Sequence, residues 1–424
     1  MLKACTMTNS NNDVRVVVTG LGTVNPIGNS VREYWDNLKI GKSGVRTIQN
    51  VDIDNYSIRI AGEVDPPDPT EYFKEKKMAR RLDRYVVYGY IAGTQALRDS
   101  GLEVDKAPER YGSLIGTGDG GVDTNLANVE RIVTTGMQTT SPFYIINSIP
   151  NTGSGFFAQV WNLQGPSFSI SSACATSNHA FGVAAMMIKM GMADAVFAGG
   201  AEAPVNKSGL CAFGNIFALS ERNDSPETAS RPFDVDRDGF VLGEGAGVLC
   251  LESLDHAKKR GAKIYCELTG YGFSCDAHDL VAPHPDARGS AQSISLALEN
   301  ASLNVRDIDI INCHATSTPL GDKAEYLAVE RVFGDYAREV PVHSTKSMTG
   351  HLLGAAGGVE AIAAVLAFEE GVVHKTINQF NQDPEIQFNV IKNDPLEMTP
   401  KHILANGFGF GGQNAAIVFS RFEG

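Results

Sequence analysis

Short uninterrupted apolar runs alternate along the chain with longer stretches whose apolar residues return at helical spacing. VRVVVTGLG (14–22), YGSLIGTG (111–118), ADAVFAGGAE (193–202) and VLCLES (248–253) have the length of strands and end in or beside glycine-rich or polar turns. Runs of this kind predict strands covered on both faces. YGYIAGTQALRDSG (88–101) carries the helical pattern and stops at Gly101, where a left-handed residue closes a helix readily. No segment rich in Pro, Ser or charge divides the chain, so the pattern predicts an α/β protein with mixed sheets.

Three segments recur in the same order in both halves. Thr19-Gly20-Leu21-Gly22 returns as Thr269-Gly270-Tyr271-Gly272, ALRDSGLEV (96–104) as ALENASLNV (297–305), and Gly239-Phe240 running into VLCLE as Gly407-Phe408 running into AAIVFS. Order gives weight to matches that are individually weak, and predicts a duplicated unit with its boundary near residue 263. The expected organisation is a flexible tail over 1–13, an N-terminal half over 14–263 and a C-terminal half over 264–424. A site is then expected where the halves meet, built from loops at strand ends.

Composition narrows the classes of function. The chain has 424 residues, 43% apolar and 20% charged, with a formal net charge of −13. That balance opposes general binding to nucleic acid or to a membrane surface, but a local basic patch, KEKKMARRLDR (74–84), which is expected to place its cations on a helix, remains available to an acidic partner. The first dozen residues lack the apolar core of a secretory signal, and no later run reaches the roughly 18 residues that span a bilayer. A soluble, cytoplasmic protein is expected. Seven cysteines without a C-x-x-C pair fit reduced, mostly buried thiols better than disulfides or a zinc ribbon. No phosphate-binding or dinucleotide loop stands in the required context, so no metal or nucleotide cofactor is expected.

Candidate chemistry concentrates in three segments. In FSISSACATSNHAFGVAAMMIKMG (168–191) an apolar strand turns at Ser172-Ala173-Cys174 into a helix of small residues. Free N–H groups and the positive helix end favour a thiolate at Cys174 and can hold an oxyanion. The alternative, a buried structural cysteine, is assigned to Cys211, Cys250 and Cys266. In DIDIINCHATSTPLGDKAEY (307–326) a strand ends at His314; in VHSTKSMTGHLLGAAGGVEAIAAVLA (342–367) Lys346 precedes His351, which opens a helix carrying Glu360. A histidine in either place is otherwise a satisfied core or capping residue. Glu360 inside an apolar run predicts a buried carboxylate with a cationic partner, for which Lys346 is the nearest candidate. Two neutral imidazoles beside a thioester can donate to one carbonyl oxygen and stabilise an enolate. The loop NGFGFGGQN (406–414) offers backbone N–H groups for a second oxyanion hole, or is a plain glycine hairpin.

These segments, SSACATS, NCHATSTPLGD, STKSMTGHLLGAAGGVEA and GFGFGG, resemble the β-ketoacyl-acyl-carrier-protein synthases of the I/II type, over residues 14–422. The resemblance implies a homodimer of thiolase-like protomers, each a duplicated α-β-α-β-α five-layer unit. It implies decarboxylative condensation of malonyl-carrier protein with an acyl chain held on Cys174, His314 and His351 acting on the malonyl thioester and Lys346 with Glu360 as a supporting pair. It further implies an oxyanion hole from the N–H groups of Cys174 and Phe410, a gate at Phe410 flanked by Gly409 and Gly411, and a companion loop at Asp276. Asp119 and Phe213 are placed in the acyl pocket, and Lys77, Arg80 and Arg81 at the acyl-carrier-protein docking surface. Acyl groups arrive on the carrier's phosphopantetheine, with no cofactor on the enzyme. The final loop lacks the second cysteine of thiolases, and His351 stands where starter synthases have asparagine, so elongation is favoured. Fatty acid elongation is the leading reading and a dedicated type II polyketide or specialised lipid pathway the alternative. Cys174 opposes a purely structural role as an assembly partner. Two positions depart from the family pattern. Asp119 replaces an apolar residue at the far end of the tunnel; it either turns back onto the N–H groups of its own loop, which is the expected case, or faces the tunnel and meets a polar group on the growing chain. Phe217 replaces a basic residue that often helps to receive the carrier.

Overall fold

The computed structural model describes residues 14–424, apart from Asn55 and the side chain of Gln138; the tail expected over 1–13 lies outside the described residues. The strands that matter for the site are β1 (Val16–Val24), β2 (Tyr111–Gly116), β3 (Ala195–Glu202), β4 (Gly245–Ser253), β5 (Cys266–Cys275), β6 (Ile310–Asn312), β7 (Pro341–His343), β8 (Asn389–Val390), β9 (His402–Gly409) and β10 (Gln413–Arg421). They form one hydrogen-bonded order, β8-β7-β6-β9-β10-β5-β1-β4-β3-β2. The order and the strand directions repeat. β1 is antiparallel to β4, β4 antiparallel to β3 and β3 parallel to β2; β5 is antiparallel to β10, β10 antiparallel to β9 and β9 parallel to β6. The two sets join through a short antiparallel pairing of β1 with β5.

Helices complete the layers. Helix α1 (Arg84–Ser100) covers the outer face of β1, β3 and β4, while α5 (Arg288–Ala301) covers β5 and β10 and packs against α6 (Pro319–Phe333). Between the two sets of strands lie α3 (Thr176–Lys189) and α7 (Ala356–Glu370), each touching strands of both halves and each other. The apolar clusters follow this layering: one lies under α1, one under α5 and α6, and the largest surrounds the two central helices.

The Thr-Gly-x-Gly repeat has a structural cause. In β1 the register shifts between Val18 and Gly20, leaving Thr19 as the extra residue of a bulge; in β5 Thr269 is bypassed in the same way opposite Val418 and Phe419. The glycines beside each bulge let the outer helix approach. A Cβ at Gly20 or Gly22 would fall 2.2 and 2.0 Å from the carbonyl oxygens of Ala96 and Ala92 on α1, and at Gly270 or Gly272 it would fall 2.3 and 2.0 Å from those of Ala297 and Ser293 on α5. The first two repeated segments therefore report one contact, strand bulge against helix, made twice. The third pair is not equivalent: Gly407 lies within β9, whereas Gly239 lies outside any strand in the excursion from β3 to β4.

Three local expectations are corrected. The basic segment forms only a four-residue helix, Lys76–Ala79, because Asp83 already caps α1 by accepting from the Tyr85 N–H. Residues before Cys174 are not a laddered strand; they run along β2 through a single bridge, Ser113 with Ser167. Cys211 is exposed rather than buried, as is Cys275, while Cys250, Cys266 and Cys313 are buried free thiols. Among the described residues no helix is long and apolar enough to cross a membrane.

Candidate active site

Cys174 occupies a one-turn 3₁₀ segment, Ala173–Ala175, that feeds directly into α3. The second half repeats the device as Leu353–Ala355 feeding α7. Each turn begins with a non-glycine residue in the left-handed region, Ala173 at φ 48° and Leu353 at φ 45°. The helix starts touch. Ser177 Oγ donates to the Gly354 carbonyl at 2.5 Å, and a Cβ on Gly357 would lie 2.0 Å from Asn178 Oδ1. This contact across the two halves brings His351 to Cys174: its Nε2 stands 3.0 Å from the Cys174 Sγ. His351 is anchored by its own backbone, donating to Val241 and accepting from Gly243 at 2.8 and 2.9 Å.

His314 follows β6 on a loop held by Glu325 of α6. The two oxygens of that carboxylate accept from the N–H groups of His314 and Ala315 at 2.8 and 2.7 Å, and Asn406 Nδ2 donates to it at 3.0 Å. The ring of His314 stands edge-on to His351 with centroids 5.3 Å apart. One ligand atom from each of Cys174, His314 and His351 lies within 4.8 Å of the others. Phe240 packs on His351 and Phe408 on His314, at centroid distances of 5.3 and 5.8 Å. Lys346 and Glu360 are buried and hydrogen-bonded to each other, as their sequence setting predicts.

Burial sets the charge states. It pushes the Cys174 thiol up to about 12, and neither the Lys346 charge nor the hydrogen bond from the Phe410 N–H offsets it. The resting group is a thiol; the helix start does not make it a thiolate, contrary to the sequence expectation. Burial holds His314 and His351 well below the usual histidine range, and the Lys346 ammonium adds to the effect on both. Both imidazoles are neutral at pH 7. Burial also raises Glu325 to about 7, against the N–H donors that favour its ionised form.

The glycine loop forms the turn Phe410–Gly412 between β9 and β10, so it is a hairpin and also the wall of the site. A Cβ on Gly409 would lie 2.7 Å from the Ser172 carbonyl and 3.3 Å from the Cys174 nitrogen, so glycine is needed for this approach. Gly411, at φ 79°, donates to the Leu280 carbonyl at 2.8 Å. Asp276 latches the neighbouring segment to this turn: its N–H donates to the Gly412 carbonyl, and its carboxylate accepts from Asn414 Nδ2 and the His284 N–H at 2.9 and 3.0 Å.

A cavity of about 390 Å³ ends at Cys174, His314 and His351 and is bounded by Phe410 and Asp276. Asp119 and Phe213 do not line it. Phe213 instead packs between Phe240 and Phe410, at 5.5 and 6.3 Å, in the apolar cluster that includes Cys174. Asp119 is exposed in the single chain, and its carboxylate does not bond its own loop as expected. Glu202 takes those donors, accepting from the N–H groups of Gly118, Asp119 and Gly354 at 2.7, 3.1 and 2.9 Å. Lys77, Arg80 and Arg81 are exposed and lie away from the cavity wall. Glu325, Glu202, Phe240 and Phe408 complete the site without having been read from the sequence.

The chain matches the family models for the N-terminal domain of β-ketoacyl synthase over residues 13–257 and for its C-terminal domain over residues 265–380. It is 44% identical over 409 residues to 3-oxoacyl-[acyl-carrier-protein] synthase 2 of Vibrio harveyi, covering 96% of this chain and 98% of that one. It is 39% identical over 412 residues to the protein of the same name from Staphylococcus aureus, covering 97% and 99%. Among solved structures, the ishigamide ketosynthase/chain length factor superposes with a TM-score of 0.91 at 33% identity over 97% of this chain and 100% of that one. The type II polyketide ketosynthase AntDE, solved with the acyl-carrier protein AntF, gives a TM-score of 0.89 at 32% identity over 96% and 100%. The matches span both halves of the chain, and the chain belongs to the β-ketoacyl synthase family of condensing enzymes, with the thiolase-like fold.

Proposed function

We propose that this protein elongates acyl chains as a 3-oxoacyl-[acyl-carrier-protein] synthase, with fatty acid synthesis as its pathway. The observation that carries the reading is the approach of Cys174 Sγ to His351 Nε2, 3.0 Å, with His314 beside it at the closed end of one cavity. In loading, Cys174 attacks the carrier's thioester carbonyl as its proton passes to His351. The N–H groups of Cys174 and Phe410 hold the oxyanion, and the carrier thiol departs with the proton. Malonyl-carrier protein then enters. Its carboxylate leaves as CO₂, the bonding electrons move onto the thioester oxygen, and His314 and His351 donate to that enolate. The carbanion attacks the Cys174 thioester and expels the thiolate, giving a 3-oxoacyl-carrier protein. Lys346 and Glu360 support the histidines by fixing charge behind them. Acyl groups come on the carrier's phosphopantetheine, so the reading needs no resident cofactor or metal.

The working unit is proposed to be a cytoplasmic homodimer of chains, each with a seam near residue 263. Exposed Val129, Val133, Met137, Ile145, Ile146 and Phe168 beside the edge strand β2 supply an apolar face for a second copy. Lys77, Arg80 and Arg81 steer an acidic carrier. Charge reversal at Arg80 and Arg81 should raise the KM for carrier-bound substrate at low salt and hardly alter that for a small thioester. An unchanged KM would place steering elsewhere.

A second reading, a specialised lipid or polyketide synthase, is favoured by Asp119. Its loop abuts the nucleophile turn, a Cβ on Gly118 falling 3.7 Å from Ala173 Cα, and a carboxylate there disfavours a long alkyl end. The test supplies malonyl-carrier protein with acyl-carrier proteins of graded length and oxidation state and identifies the products by mass. Turnover of long saturated chains supports fatty acid elongation, and confinement to short or oxygenated chains supports the second reading. On the second reading, in which Asp119 meets the end of the acyl chain, Asp119→Ile in the same assay should raise the long-to-short ratio about tenfold, the equivalent of about 1.4 kcal/mol of apolar contact. An unmoved ratio removes Asp119 from the acyl pocket.

A further inference from the structure

Three atoms able to bind a metal ion converge at the closed end of the cavity. One ligand atom from each of Cys174, His314 and His351 lies within 4.8 Å of the other two, and among the described residues no second group of three cysteine, histidine or carboxylate side chains is drawn together in this way. All three side chains are buried, yet all three line the cavity, so a small ion has a path to them. Zinc bonds to sulfur at about 2.3 Å and to an imidazole nitrogen at about 2.0 Å, which sets its tetrahedral ligands about 3.3 to 3.6 Å apart. The spacing here, 3.0 Å between Cys174 Sγ and His351 Nε2 and within 4.8 Å for the set, brackets that requirement. Shifts of no more than about 1.5 Å satisfy it.

The donors also suit the ion. One sulfur and two imidazoles, with a fourth position open to the cavity, match the ligands that zinc selects. A thiol proton lies between Cys174 Sγ and His351 Nε2, and the metal ion takes its place. The Lys346 ammonium behind the rings is met by the Glu360 carboxylate, so it opposes a dication less than a free cation would. In one respect the set differs from a resident metal centre. A histidine that holds a permanent ion almost always donates its second N–H to a carboxylate, a carbonyl or water. The Nδ1 atoms of His314 and His351 are buried without a hydrogen-bond partner. Neither ring is braced for a permanent ion, and capture here is reversible.

We infer that Zn²⁺ binds Cys174, His314 and His351 reversibly and locks the free protein before acyl loading. The S–H bond of Cys174 breaks, the sulfur bonds to zinc and the proton leaves to solvent, with no change of oxidation state. An acyl group on Cys174 replaces the anionic thiolate with a thioester, a poor ligand, so the acylated protein escapes the lock. The inhibitory consequence rests on the proposed function; the metal site itself stands on the geometry.

The test titrates Co²⁺, whose absorption reports tetrahedral thiolate ligation, and then Zn²⁺ as competitor. The protein carries Cys5→Ser, Cys211→Ser and Cys275→Ser, which removes the two exposed thiols and the one outside the described residues. A thiolate-to-cobalt charge-transfer band and strong visible bands should saturate at one Co²⁺ per chain and be displaced by Zn²⁺. His314→Ala and His351→Ala should each weaken binding by at least about 100-fold, more than loss of an outer partner costs. Cys174→Ala should remove the charge-transfer band, and so should alkylation of Cys174 by iodoacetamide, which asks no variant to fold. Loading of Cys174 from hexanoyl-N-acetylcysteamine, read by intact mass, should slow at least about tenfold in saturating Zn²⁺ and recover on adding EDTA. An octahedral cobalt spectrum, or a charge-transfer band that survives loss or alkylation of Cys174, overturns the metal site. Loading at an unchanged rate with zinc bound overturns the lock. Failure to load in the absence of any metal overturns the proposed function instead, and the cobalt titration still decides the metal site.

Discussion

Cys174→Ala is expected to abolish acyl loading, by at least about 10³-fold, while malonyl decarboxylation remains measurable. Among the described residues no other thiol is placed to substitute. Cys250, Cys266 and Cys313 are buried and their thiols are pushed up, whereas Cys211 and Cys275 are exposed and neither lines the cavity. Because burial holds the Cys174 thiol near 12, the nucleophile forms only as its proton moves to His351, and alanine removes both the sulfur and the proton. His314 and His351, the proposed enolate donors, are untouched. Intact mass after incubation with acyl-carrier protein reads loading, and CO₂ release from malonyl-carrier protein reads the other half-reaction. Condensation surviving in this variant would falsify the assignment of the nucleophile.

His314→Ala and His351→Ala should have the complementary effect, cutting decarboxylation by about 10² to 10³ for each lost donor while loading is less affected. His351→Ala should slow loading more than His314→Ala, since His351 alone contacts Cys174 Sγ. The pH dependence carries a sign. Both imidazoles have folded pKa values lowered well below 6.5, so the neutral donor form persists as pH falls through 6.5 and is lost only at lower pH. The acid limb of the decarboxylation rate therefore lies below pH 6.5. Equal losses in both half-reactions, or an acid limb at or above pH 6.5, would refute separate roles for the histidines.

Much of this was legible because the relevant residues break the local pattern. Glu360 interrupts an apolar helix, so a buried partner was implied, and Lys346 is that partner. The Thr-Gly-x-Gly pair was visible as a repeat because both halves need a bulge and a close helix in the same place. Glu325 gave no such signal. It sits among Asp322, Lys323 and Glu330 on a helix whose charge reads as solvated, and only the path of the His314 loop turns it inward. Glu202 ends a strand and looks like a surface residue until the Gly118 loop closes over it. For Cys174 the sequence suggested the favourable field of a helix start, but it could not weigh that field against desolvation, which prevails. Asp119 was misjudged for a related reason: the loop had free N–H donors, and another carboxylate held them.

The seam between the halves bears on exchange of parts among relatives. β1 and β5 share only the register of Val17 with Glu267 and Val18 with Cys266, so the backbone ladder is a poor ruler for the distance across the site. Cys174 and His351, 177 residues apart in the chain, are instead gauged by the small side chains at the starts of α3 and α7, where Ser177 meets Gly354 and Gly357 has no room for a methyl group. For a chimera joined at the seam, compatibility then turns on the two helix starts: a foreign half with one bulkier residue there pushes them apart and takes the sulfur out of line with the imidazole.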